Sequence, residues 1–273
     1  MIAARNEYSA DKVKFLLAHG AAVNIADPDG NTALMIAADE YQPESVKALL
    51  EAGANPNAAD KDGNTVLLRA ASAKHNWDEE KKPLIHLLLE KDADPNRKNS
   101  HGVTALMMMC RAGSPAVAQM LERGAQVDAR DEEGETALLY AARHFIGDWN
   151  RRDGWALLEK GADVNAANHR GETALILAAT QYLAEAAGLL LEKGANVNAK
   201  TKTGRTALMQ AIDGPKDFDN TNHVVYSPEI AKVLIDSGAD VNAQDESGNT
   251  ALRLALKRGY QDMADLLKKA GAR

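Results

Sequence analysis

Apolar positions along the chain come in short clusters at helical spacing, separated by polar connectors that repeat one design. Val46, Leu49 and Leu50 lie at i, i+3 and i+4, the spacing of one buried helical stripe. Leu189-Leu190, Val233-Leu234 and Leu266-Leu267 repeat that stripe. Upstream of each stripe stands a second apolar cluster that opens on Thr-Ala-Leu or a close variant. The pattern predicts pairs of short helices. Neither helix of a pair is long enough to be stable alone, so each unit must hide its apolar face against its neighbours.

Two turn signatures punctuate the clusters. Gly-x-Thr-Ala-Leu, with Val66 once replacing Ala, begins at Gly30, Gly63, Gly102, Gly134, Gly171, Gly204 and Gly248. Gly-Ala-x-Val/Pro-Asn/Asp begins at Gly20, Gly53, Gly124, Gly161, Gly194 and Gly238, with Asp92 in the glycine position of one more copy. From the second signature to the next first signature the step is always ten residues, whereas the return step takes 23, 29, 22, 27, 23, 34 or 23. A rigid connector therefore alternates with a segment of adjustable length.

The connector has readable chemistry. A glycine at Gly53 or Gly124 suits the left-handed residue that ends a helix. The short side chains of Asn24, Asn57, Asn96, Asp128, Asn165, Asn198 and Asn242 are expected to bond nearby backbone within the turn. Three residues later Asp27, Asp60, Asn99, Asp131, Asn168, Thr201 and Asp245 each supply an acceptor before the tip glycine. Thr32 and its six counterparts stand where a helix N-cap belongs.

The run Asp27-x-x-Gly30-x-Thr32-Ala33-Leu34-x-x-Ala37-Ala38, then Val46-x-x-Leu49-Leu50-x-x-Gly53-Ala54-x-x-Asn57, resembles the ankyrin repeat. Two departures replace polar or rigid positions by apolar ones. The family's proline after threonine is Ala or Val, and its histidine is Met35, Leu68, Met107, Leu139, Ile176, Met209 or Arg253. The resemblance implies an all-α repeat solenoid, a helix–turn–helix stack with β-turn, hairpin-like connectors. Its units would span roughly 1–26, 27–59, 60–98, 99–130, 131–167, 168–200, 201–244 and 245–273, the first incomplete. Arg5, Asn6, Glu7 and Lys12 would cap one end, unless the chain is truncated there. Lys257, Arg258, Gln261, Asp262, Lys268 and Lys269 would clothe the other.

The same resemblance implies a protein partner held along a concave face of turn tips and first helices. Carried over by position, the tips include His101, Glu132, Glu133, His169, Arg170 and Arg205, which run from acidic through mixed to basic. The first helices add Arg69, Tyr140, Arg143, His144 and Gln210. Tyr and Arg are over-represented among residues that dominate binding energy, which singles out Tyr140 and Arg143 with His144. The three units carrying Arg69, Tyr140 and Gln210 exceed the 23-residue return step by 6, 4 and 11 residues. Their inserts hold Trp77, then Phe145 and Trp149 with Trp155 just after, then Phe218 and Tyr226. These aromatics either form one edge of a partner site or anchor their own loops; duplication of a two-unit block would also explain the alternation.

Composition narrows the rest. Aromatic residues make up 4% of the 273, so Ala, Leu, Ile, Val and Met must build the core. The formal charge of −7, without long single-sign blocks, argues against non-specific nucleic-acid binding. The single cysteine, Cys110, sits in an apolar run and reads as a buried structural thiol. No stretch reaches the ~18 apolar residues of a membrane span. A soluble, cytoplasmic, monomeric chain is favoured, with a lost leader as the alternative. Phosphate loops, nucleophile elbows and zinc motifs are missing, and Asp217, Asp219, Asn220 and His223 lack the Gly and Glu of a calcium loop. No catalytic, metal or cofactor residue is assigned. The expected role is non-enzymatic protein binding, in a finer version the inhibitor or antidote of an enzyme. The competing role is a structural or adaptor fragment of a larger protein.

Overall fold

The computed structural model describes residues 9–72, 82–143, 153–213 and 228–273. Fifteen helices occupy the described residues: α1 (Ser9–Ala18), α2 (Ala33–Asp39), α3 (Pro43–Glu51), α4 (Val66–Ser72), α5 (Lys82–Glu90), α6 (Ala105–Ala112), α7 (Val117–Glu122), α8 (Ala137–Arg143), α9 (Asp153–Glu159), α10 (Ala174–Thr180), α11 (Ala184–Glu192), α12 (Ala207–Asp213), α13 (Pro228–Asp236), α14 (Ala251–Arg258) and α15 (Gln261–Lys269). They form an all-α repeat solenoid. The first helices stack in one layer, α2 on α4, α6, α8, α10, α12 and α14 in turn. The second helices form another, with α1 on α3, α3 on α5, α7 on α9 and α11 on α13.

Why the layers hold is visible in the burial. Leu34, Leu67, Leu106, Leu138, Leu175 and Leu208 are each about 1% exposed and run as one apolar column through the stack. Alanine pairs such as Ala37-Ala38, Ala141-Ala142 and Ala178-Ala179 are equally buried, and their short side chains let adjacent helices approach closely. Cys110 lies in this core, as its apolar surroundings predict. Each first helix starts on its threonine: Thr32, Thr65, Thr104, Thr136, Thr173, Thr206 and Thr250 all accept the N–H three residues on.

The connectors are hairpin-like, closed by isolated antiparallel bridges such as Ala26 with Thr32 and Ala59 with Thr65. The acceptor before each tip behaves as expected. Asp60 Oδ1, for example, takes the N–H of Asp62 at 3.0 Å and of Asn64 at 2.8 Å. Neighbouring tips are joined by one backbone bond each: Lys61 N–H to Asp29 C=O, Ser100 to Asp62, Glu132 to His101, His169 to Glu133, Lys202 to Arg170 and Glu246 to Thr203.

The connector asparagines depart from expectation. They reach across to the next unit instead of closing their own turn. Asn24 Nδ2 donates to Gly53 C=O at 3.1 Å and its Oδ1 accepts from Asn55 N–H at 2.8 Å. Asn57, Asn96, Asn165, Asn198 and Asn242 make the same two bonds one unit further on. Asp128, a carboxylate in that position, keeps the accepting half with Asp163 N–H at 3.0 Å.

At the first end Arg5, Asn6 and Glu7 lie outside the described residues; Lys12 is exposed, and so are Phe15 (62%), Leu16 (46%) and Ile25 (60%) of the same unit. At the other end Arg258 turns inward and pairs with Asp213 of the preceding unit.

Candidate protein-binding face

The tips and first helices share one side of the stack, and their polar residues form three networks. The fourth position of each first helix alternates strictly: Ile36, Met108, Leu177 and Leu254 are apolar, while Arg69, Tyr140 and Gln210 between them are polar. The polar three are half-buried, since a long or aromatic side chain at that position lies along the stack and keeps one edge in water.

Arg69, on α4, clamps the two units before the first insert. Its Nη1 meets Asp39 Oδ2 at 2.8 Å, and its Nη2 meets Asn31 Oδ1 at 2.6 Å and Asp60 Oδ2 at 2.5 Å. Burial pushes the Asp39 carboxyl up despite the guanidinium beside it. Burial acts the same way on Asp60, but hydrogen bonds from Asn64 and Arg69 outweigh it and hold that carboxyl below its ordinary value.

The central network is the densest. Tyr140, on α8, donates its hydroxyl to Asp131 Oδ2 at 2.9 Å. Burial, then the neighbouring Asp131 and Glu135 carboxylates, push that phenol well above its usual range, so it stays neutral. Arg143 Nη2 bridges Glu135 Oε1 at 2.6 Å and Glu172 Oε2 at 2.7 Å. Asn168 Nδ2 joins the same two oxygens at 3.0 and 2.7 Å. Arg170 adds bonds to Glu172 at 2.9 Å and to Glu135 at 3.4 Å. Burial alone would raise the Glu172 carboxyl; the bonds from Arg143, Asn168 and Arg170 hold it down at about 2. Between the α6 and α8 units the network borders an open cleft of about 230 Å³, lined by Arg111, Asp131, Glu133, Glu135, Tyr140 and Arg143.

The third network centres on Asp213. It takes Arg205 Nη2 at 2.7 Å and the guanidinium of Arg258 from the last unit, while Arg205 Nη1 lies 3.8 Å from Asp245. Gln210 is half-buried on the same helix, α12.

The structure thus gathers Arg69, Glu133, Tyr140, Arg143, Arg170, Arg205 and Gln210 on this face. His101 and Glu132 are exposed tip residues that face each other at 3.3 Å, and His169 is an exposed tip beside Gly134. Trp155 does not join them: it lies 40% exposed on α9, a second helix, with Lys193 Nζ 4.4 Å from its ring centroid. Trp77, His144, Trp149, Phe218 and Tyr226 lie outside the described residues. The acidic-to-basic run along the tips is largely balanced internally, because Arg170 and Arg205 are already paired with carboxylates of this face.

Sequence reasoning placed Asp60 and Asp131 as turn acceptors and Glu135 and Glu172 at the tips, but foresaw neither their pairing with the arginines and Tyr140 nor the parts played by Asp39 and Asp213. One signal was available. Glu135 and Glu172 follow the tip glycine in successive units, where Asn31, Asn64 and Asn249 stand in others, and Arg143 falls eight residues after Glu135.

Family models for repeats of this kind match residues 1–267. A model of multiple ankyrin repeats matches residues 1–78, 77–168 and 150–221; others for ankyrin repeats match 203–246 and 227–267. The chain belongs to the ankyrin repeat family. Ankyrin repeats serve generally as protein-interaction modules, typically without catalysis of their own. No individual curated protein matches the sequence. Among the described residues of this ankyrin stack, no three His, Cys, Asp or Glu side chains group as a metal site would require. No described helix is long and apolar enough to cross a membrane.

Proposed function

We propose that this ankyrin stack receives a protein partner on the face built from its tips and first helices, centred on Tyr140. The observation that carries the reading is the half-buried polar row of Arg69, Tyr140 and Gln210. Arg69 and Tyr140 are held in place by carboxylates of their own or adjacent units. Side chains fixed before binding lose little entropy on contact, and aromatic or arginine anchors in partly desolvated settings dominate binding energy. Arg143 contributes by positioning Glu135 and Glu172, since its own Nη2 is committed to both. The aromatic inserts around Trp77, Trp149 and Phe218 would extend one edge of the same site. On this reading the chain alone is a monomer, and a partner enzyme whose activity falls in the complex would make it an inhibitor.

Affinity capture from the native lysate tests this with three baits: the wild type, a face variant (Glu132→Lys, Glu133→Lys, Tyr140→Ala) and an insert variant (Trp77→Ala, Trp149→Ala, Phe218→Ala). A protein held by the wild type and lost by the face variant, with the helical signature intact, is the expected result. Loss only with the insert variant would move the site to the inserts. Retention by both variants would refute the assignment.

A further inference from the structure

Glu135 is an unusual member of the central network. It is 7% exposed, and its Oε1 accepts from Arg143, Asn168 and Arg170, all presented from the side of the α8 and α10 helices. Its Oε2 is buried with no hydrogen-bond partner. A buried carboxylate oxygen left without a donor is costly, and native structures hold few such groups without a reason. Glu135 also lines the cleft between the α6 and α8 units.

Two further carboxylates line that cleft. Asp131 already accepts from the Glu133 and Glu135 N–H groups and the Tyr140 hydroxyl. Glu133 is exposed at the rim. Against these three anions stand two guanidiniums. Arg143 is already bridged between Glu135 and Glu172, which leaves the exposed Arg111 as the cation of the opposite wall. At about 230 Å³ the cleft is smaller than the ~300–1,000 Å³ of pockets that take whole small molecules, and suits one inserted side chain. The half-buried Tyr140 ring offers a planar wall.

We infer that this cleft is the socket for a single arginine side chain presented by the partner protein. The guanidinium would donate to the unpartnered Glu135 Oε2, which its entry must uncover, and to Glu133 while stacking on Tyr140. A planar fork with several donors meets two carboxylates and an aromatic face better than the compact ammonium of lysine. Arg111 would be the competing cation that the incoming arginine displaces. The inference rests on the protein-binding reading above and names the chemistry of its central contact.

The test is a titration of the full, nitrogen-15-labelled chain with N-acetyl-arginine methylamide, run beside N-acetyl-lysine methylamide and acetate, and followed by amide chemical shifts. The expected result is saturable, millimolar binding of the arginine probe, with shifts centred on Glu133, Glu135 and Tyr140. Glu135→Gln risks the fold through its bonds to Arg143 and Asn168, so the informative variants sit at the rim. Glu133→Gln should weaken arginine binding roughly 2- to 5-fold, and Arg111→Ala should strengthen it by a similar factor, as for part-exposed charge pairs. A cleft that answers to acetate instead, or to lysine as strongly as to arginine, or whose affinity ignores both variants, would overturn the inference. A partner captured on this face while the arginine probe leaves the cleft unmoved would overturn the socket alone. Arginine binding in a chain that captures no protein would count against the interaction reading and leave the socket standing.

Discussion

Three glycines with the same backbone conformation should respond very differently to alanine. Gly102, Gly124 and Gly248 have φ of 75°, 83° and 71°, all in the left-handed region. A side chain there costs ~1–2 kcal/mol, offset in part by the ~0.4–1 kcal/mol that alanine gains from a stiffer unfolded chain. The common penalty is thus ~0.5–1.5 kcal/mol. Gly102 carries a second one. A Cβ on it would sit 2.9 Å from Asp131 Cα and 3.2 Å from Glu132 N, backbone atoms of the next tip, which is itself tied to Gly102's unit by the Glu132–His101 bond. Forcing such a contact apart costs a further ~1–3 kcal/mol. Gly124 ends a helix and Gly248 is the last tip, and a Cβ on either meets nothing within 4 Å. Gly102→Ala should therefore destabilise by ~1.5–4.5 kcal/mol and the other two by ~0.5–1.5 kcal/mol. Urea unfolding gives the totals. Because repeat arrays do not always unfold as one unit, hydrogen exchange at the Glu132 amide should accompany it, opening in Gly102→Ala alone. Three penalties within ~0.5 kcal/mol of one another would refute the close-approach argument.

The remaining predictions concern the polar ladder and the carboxylates. Asp128→Asn restores the donating half of the inter-unit pair, toward Gly161 C=O, and should add ~0.5–1.5 kcal/mol; no rise in melting temperature would mean that the asparagine donors add nothing. Acid should weaken the stack through Asp60, Glu172, Asp213 and Asp245, whose carboxyls are all held below their ordinary values in the folded state. Their contribution is complete above the unfolded carboxylate range of about 4–4.5 and disappears as pH falls through the folded values, down to about 2 for Glu172. Asp39, raised by burial, acts in the opposite sense. Thermal melts from pH 7 to pH 3 should show a net fall in melting temperature beginning near pH 5; a flat profile would contradict it.

The stack was legible in the sequence because its rules are local. A threonine cap, an acceptor before the tip and an i, i+3, i+4 stripe each depend on a few adjacent residues, and the first two hold at all seven tips. What was not legible crosses between units. Asn24 and Asn55 are 31 residues apart, and Arg69 meets Asp39 and Asn31 at separations of 30 and 38. No short-range pattern marks such pairs. The same blindness affected the site. Tyr140 and Arg143 read as residues waiting for a partner, yet both already serve carboxylates of their own face. Their spacing showed where they stand and not what they hold.

The two rungs that join each unit to the next, the tip backbone bond and the asparagine pair, both lie on the ten-residue connector. Length added between the helices of a pair falls outside both rungs. Pitch and length are therefore separate properties of this molecule. The connectors act as a ruler of fixed graduation, and inserts of 6, 4 and 11 residues can differ in size and composition without moving any mark on it. A unit transplanted between positions with its connector intact would keep its place on that scale, whatever loop it carried along.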